Sequence, residues 1–184
     1  MIRIPPMNRV YVKNYGSLQP DDPRLIPVAS IPGNVCKLHY LAAAAFTVMC
    51  AACYAATGIR LVAASGYRPH GYRTRGQYEA KLLSMYSKRL AKKTASMTPE
   101  KARAYILAYG RARVAFDSPH ETGLAVDFGS GGLTPDTLTA KQQYETEAYS
   151  WLAAHAHEYG WTPYDIEPWH WEYNIPKSEW ERLP

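Results

Sequence analysis

Three cysteines in 184 residues are too few, and odd in number, for a disulfide framework. Cys50 and Cys53 form a C-x-x-C pair, but it lies inside an apolar run with no second ligand pair nearby, which argues against a zinc ribbon or a thioredoxin-like site. Buried free thiols are expected, as suits folding in a reducing compartment. Long hydrophobic runs are also missing. The longest, Leu41 to Ala56, falls short of the ~20 residues a spanning helix needs and follows a Pro-rich lead of about forty residues, so neither a membrane span nor a signal segment is expected. Its positions Leu38, Ala42, Ala45, Phe46, Met49 and Cys53 recur with helical spacing and Gly58 follows, which predicts a buried helix. The chain lacks internal repeats and low-complexity tracts, and no nucleic-acid recognition motif accompanies its charge.

What is present is the composition of one compact domain: 47% hydrophobic and 20% charged residues, which argues against disorder. Ile59 to Ser65 and Leu124 to Phe128 read as strands, with a shorter one at Val114 to Phe116. Gln77 to Lys92 and Pro99 to Ala112 read as helices, the second capped by Thr98 with Pro99 at its first position. A further helix is expected from Ala140 to Tyr159, opened by a Thr139-x-x-Gln142 capping box and closed by Gly160. On it His155 shares the apolar stripe as a packed, hydrogen-bonded residue, and His157 is solvated. The fold class is therefore α+β, helices packed on a small antiparallel sheet. Charge is unevenly spread: Arg73 to Arg113 holds eleven Lys or Arg against two acids, and Val114 to Pro184 three against twelve. The basic helical surface either attracts anionic polymers or carboxylates through long-range fields or is a solvated face that keeps the chain soluble.

Two short segments carry the chemistry. The first runs Ser118-Pro119-His120-Glu121-Thr122-Gly123-Leu124-Ala125-Val126-Asp127, and the second is Glu167-Pro168-Trp169-His170. Together they supply two imidazoles and a carboxylate, the donors of a catalytic zinc site with an open fourth position, and Glu167 is a spare carboxylate able to take a proton from water. Strand alternation puts Ala125 and Asp127 on one face, and Gly123 lets the backbone turn His120 back towards Asp127. The second segment has no helical period, so His170 must arrive on a separate strand rather than in a helical H-E-x-x-H. Glu121 and Glu172 are rival carboxylates; alternation places Glu172 on the face of His170, as a neighbour.

These motifs, with Ser65-Gly66-Tyr67-Arg68 and the Trp151-to-Trp161 stretch, resemble the LAS metallopeptidases, and within them the VanY-type D-alanyl-D-alanine carboxypeptidases and related phage endolysins. The likeness runs from about Leu38 to Tyr173. It implies a LAS or hedgehog-like fold with Zn2+ on His120, Asp127 and His170, and Glu167 as general base. Arg68 and Ser118 would hold a substrate carboxylate or the developing oxyanion. Tyr67 and Trp169, with Trp171, are further candidate cleft residues. A Gln is common about five residues beyond the Arg of the third motif; here Arg73 stands at that offset and Gln77 is the first Gln. The connection from Thr162 to Ile166 is also shorter than VanY-type enzymes lead one to expect.

The resemblance implies a single metallopeptidase domain over residues 1–184, with 1–35 an extended lead and 76–113 a basic helical insertion. The substrate would be a peptidoglycan stem peptide, cut by zinc-assisted amide hydrolysis at its D-Ala-D-Ala bond. An endolysin-like endopeptidase cutting at L-alanyl-D-glutamate or another muropeptide bond is the alternative. A catalytically silent zinc-binding domain fits less well, because it has no need of Glu167. A monomer without nucleic-acid partner or membrane span is expected, acting at the cell wall or periplasm. With no evident signal peptide, it would arrive through phage lysis or a secretion system.

Overall fold

The computed structural model describes residues 12, 15–72, 74–111, 118–130, 140–164 and 167–184. The chain forms two compact units, one of residues 1–69 and 119–184, the other of residues 70–118. Val114 to Phe116 and Thr139 lie outside the described residues, as do Asp165 and Ile166.

In the larger unit, β1 (Leu25–Val28) pairs antiparallel with β2 (Cys36–His39), and α1 (Tyr40–Thr57) follows directly. The His39 ring accepts the Leu41 backbone N–H at the start of α1, and Gly58 ends the helix at φ +75°, a left-handed conformation that glycine adopts without a Cβ clash. At 18 residues and a mean hydropathy of 1.6, α1 has the length and composition of a membrane span. Its inner residues Ala42, Ala43, Phe46, Met49 and Cys53 are nevertheless packed into the core, where Phe46 stacks on Phe128 at 5.6 Å and meets Trp161 edge-on. The N-terminal lead contributes more than an extended approach: Val12, Leu18 and Leu25 are core residues. All three cysteines are free, and burial raises the Cys50 thiol to about 12, so none is a ready nucleophile.

A second, four-stranded antiparallel sheet has the order β3-β4-β6-β5, with β3 Leu61–Ser65, β4 Ala125–Ser130, β5 Trp161–Tyr164 and β6 Glu167–Tyr173. The helix expected over 140–159 is broken into α4 (Ala140–Tyr144), α5 (Glu147–His155) and a 3-10 turn Ala156–Tyr159. Thr146 breaks it. Its hydroxyl donates to the Gln143 carbonyl and accepts from Tyr149 N–H, so it starts a new helix instead of continuing the old one. His155 bonds Glu158 at 3.0 Å and lies against Trp151, half exposed, and His157 is half-buried rather than solvated. The chain ends in α6 (Lys177–Trp180).

The smaller unit is a helical hairpin of α2 (Arg75–Thr94) and α3 (Pro99–Arg111), with Thr74 and Thr98 accepting backbone N–H groups at their starts. Tyr78, Leu82, Tyr86 and Leu90 recur every fourth residue on α2 and form a core with Ile106 and Leu107. Arg103 pairs with Glu79 at 2.6 Å across the hairpin.

Candidate metal centre

Asp127 in β4 and His170 in β6 are direct cross-strand partners, so the antiparallel register alone sets their side chains next to each other. His120 comes from outside the sheet, on a 3-10 turn over Pro119–Thr122. Four successive carbonyls of this turn are held by four separate segments: His120 O by Arg68 N–H, Glu121 O by Leu18 N–H, Thr122 O by the Trp180 indole and Gly123 O by His39 N–H. Gly123 has φ +72°, and a Cβ there would lie 2.8 Å from His39 N, so the close approach of β2 requires glycine. The bend expected at Gly123 does return His120 to Asp127, through a 3-10 turn braced from all sides.

His120 Nε2 lies 3.2 Å from His170 Nδ1 and 3.3 Å from Asp127 Oδ1, and His170 Nδ1 lies 3.0 Å from the same oxygen. All three side chains are buried. A metal holding tetrahedral ligands at about 2.0–2.1 Å separates neighbouring donors by about 3.3 Å, so this triangle has the dimensions of one face of a zinc coordination shell. The far nitrogens are also committed. His120 Nδ1 donates to Gly66 O at 2.7 Å, which leaves Nε2 with its lone pair towards the triangle, and Glu172 Oε1 stands 3.5 Å from His170 Nε2. A Cβ on Gly66 would meet Lys37 O at 2.5 Å, so glycine is needed to bring that carbonyl under the imidazole.

The electrostatics match an anionic cage built for a cation. Burial lowers the pKa of His120. Burial also opposes charge on His170, but hydrogen bonds and charge from Asp127 and Glu172 prevail and raise it to about 9. Asp127 is held well below the usual carboxylate range, because the charges and hydrogen bonds of His120 and His170 outweigh its burial.

The remaining candidates have distinct placements. Arg68 is 60% exposed and its Nη2 is 3.7 Å from Asp127 Oδ2, so the guanidinium stands beside the triangle. Glu167 opens β6, where pairing jumps from Pro163↔Trp171 to Tyr164↔Glu167. That irregularity spans residues 168–170, and simple alternation therefore does not fix the direction of Glu167 relative to His170. Pro168 has no N–H to give a ladder, and its carbonyl accepts from the Trp171 indole, which stabilises the bulge from within. Glu167 is half-buried and makes no ion pair among the described residues, whereas the rival Glu121 accepts from the Ser17 hydroxyl and Glu172 faces His170. Trp171 is a core residue, fully buried, and does not line a cleft; Trp169 is half-buried. The Tyr67 hydroxyl donates to Leu18 O at 2.7 Å, and burial raises it to about 12. Ser118 is buried, two residues before His120, and Gln77 is exposed on the first turn of α2. Sequence reasoning missed the bracing carbonyl of Gly66 and the ring of Tyr164, which meets His170 edge-on at 5.7 Å. Gly66 sat inside a motif chosen for its Arg; Tyr164 had no signal.

The sequence profile of the VanY family, described as D-alanyl-D-alanine carboxypeptidase, matches residues 36–177. The chain belongs to that family. Among solved structures it is similar to a vancomycin-resistance D,D-pentapeptidase VanY mutant from a VanB-type resistance cassette in complex with Zn(II), at 22% identity over 84% of this chain and 81% of that one, TM-score 0.46. It is also similar to VanYB in complex with D-alanine-D-alanine, at 21% identity over 89% and 84%, TM-score 0.47. No curated protein matches the chain. As a VanY-family protein with a His-Asp-His triad of the right dimensions, the chain is a metallopeptidase of peptidoglycan, and zinc is the metal its donors suit.

Proposed function

We propose that the chain is a zinc-dependent D,D-carboxypeptidase that removes the terminal D-alanine from peptidoglycan stem peptides. The observation that carries this reading is the triangle of His120 Nε2, Asp127 Oδ1 and His170 Nδ1, 3.0–3.3 Å on each side, within a VanY-family domain. Zinc, when bound there, lowers the pKa of a bound water to about 7 and polarises a carbonyl. Glu167 takes the proton from the attacking water and delivers it to the departing amine; of the three acids near the ligands it alone lacks a partner among the described residues. Arg68 offers a planar, exposed guanidinium next to Asp127, suited to the free carboxylate of a terminal D-alanine or to charge developing on the carbonyl oxygen. Tyr67 and Trp169 border the peptide.

The test is digestion of a soluble pentapeptide stem followed by mass spectrometry. Loss of a single alanine is the expected result. A cut beside L-Ala, or release of the whole stem from the glycan, assigns the endopeptidase activity instead.

A further inference from the structure

We infer that Glu172 is the positioning residue of the centre: its carboxylate holds the far nitrogen of His170, fixing the ring with Nδ1 towards the metal and tightening metal binding. This rests on the reading of His120, Asp127 and His170 as ligands.

The two imidazoles are oriented differently. His120 is held by a neutral carbonyl, Gly66 O, at 2.7 Å from Nδ1, and by a turn whose backbone is bonded on four sides. His170 sits in a strand whose regular pairing breaks at residues 168–170, so its backbone constrains the ring less on that side. A carboxylate supplies the constraint. Glu172 follows two residues later on the same strand, hence on the same face, and its Oε1 is 3.5 Å from His170 Nε2. On β4 its cross-strand partner is Ala125, fully buried with a side chain of one carbon, which leaves room on that side for a long acid; on β5 its partner is the buried Thr162. Glu172 is itself buried. A buried carboxylate is costly unless paired, so an acid retained here needs a positive or hydrogen-donating partner, and the His170 ring is one. An acceptor on the outer nitrogen sets the tautomer, removes rotational freedom and makes the inner nitrogen a stronger base. With Asp127, Glu172 also offsets the two positive charges of a divalent ion among buried side chains.

The test separates orientation from catalysis by measuring zinc affinity in competition with a chromophoric chelator, on the full chain. Glu172→Ala should loosen zinc by about 10–100-fold. Glu172→Gln, which keeps a neutral acceptor for the same N–H, should fall between Ala and wild type. At saturating zinc both variants should retain turnover per bound metal within a few-fold, unlike substitution of Glu167. Ring 15N spectra of zinc-loaded wild type should show His170 protonated at Nε2 and metal-bound at Nδ1, a readout that does not depend on any variant folding. Unchanged zinc affinity in Glu172→Ala, or a His170 ring bound through Nε2, overturns the role of Glu172 alone. A wild-type chain that takes no zinc overturns the ligand assignment, and this inference with it.

Discussion

In the hairpin of residues 70–118 the core is assembled from neighbours in sequence: Tyr78, Leu82, Tyr86 and Leu90 repeat every fourth residue on α2, and α3 begins five residues after α2 ends. The larger unit works at long range. Its candidate metal triangle joins residues 120, 127 and 170, and the turn carrying His120 is bonded by Leu18, His39, Arg68 and Trp180. The charges contrast as well. The hairpin segment is strongly basic, and the triangle contains a buried acid with another beside it. A local core specifies a unit economically, but only non-local pairing can bring donors from distant segments to one point, and chemistry on a metal requires that. The long-range unit should therefore be sensitive where its side chains meet the substrate and metal, and the hairpin where its helices pack.

The largest expected effect is at Glu167. Glu167→Gln should lower turnover by about 10²–10⁴-fold while zinc content stays at the wild-type level, because a proton acceptor is lost and no ligand is. Near-normal activity in this variant would move the base to another acid. Leu82→Ala comes next and sharpens the comparison from the other side. Deleting this buried side chain should destabilise the hairpin by about 2–5 kcal/mol, seen in thermal unfolding, with zinc affinity unchanged. Loss of zinc in that variant would show that the site depends on the hairpin core. The smallest effect is at Arg68, whose exposed guanidinium contributes through geometry more than burial. Arg68→Lys should reduce kcat/KM by about 10-fold with constant zinc content, since the charge remains and the planar fork does not. Unchanged kinetics would make Arg68 a surface residue.

The helices were readable because their signals are local. Period, cap and stop residues foretold α1, α2 and α3 within a few residues, and the expected single helix over 140–159 failed where Thr146 offered a competing cap. The candidate ligand cluster was readable for another reason. His120, Asp127 and His170 sit in short motifs whose residue types have few common uses together, and the Gly123 bend and separate strand for His170 follow from backbone geometry. The bulge at Pro168 was not readable, because it depends on how β5 and β6 align and on the Trp171 indole folding back to a carbonyl.

What the sequence determined by itself is the donor set and the α+β class, since both depend on residue identity and on periods shorter than a helical turn or two. The tertiary structure decided which nitrogen of each imidazole faces the triangle and which acids are already engaged. The groups met there are Gly66, Ser17 and Glu172, two of them tens of residues from their partners. A hydrogen bond is directional and short-ranged, so its partner is fixed only when the register of the sheet and the bracing of the turn have put the atoms within reach.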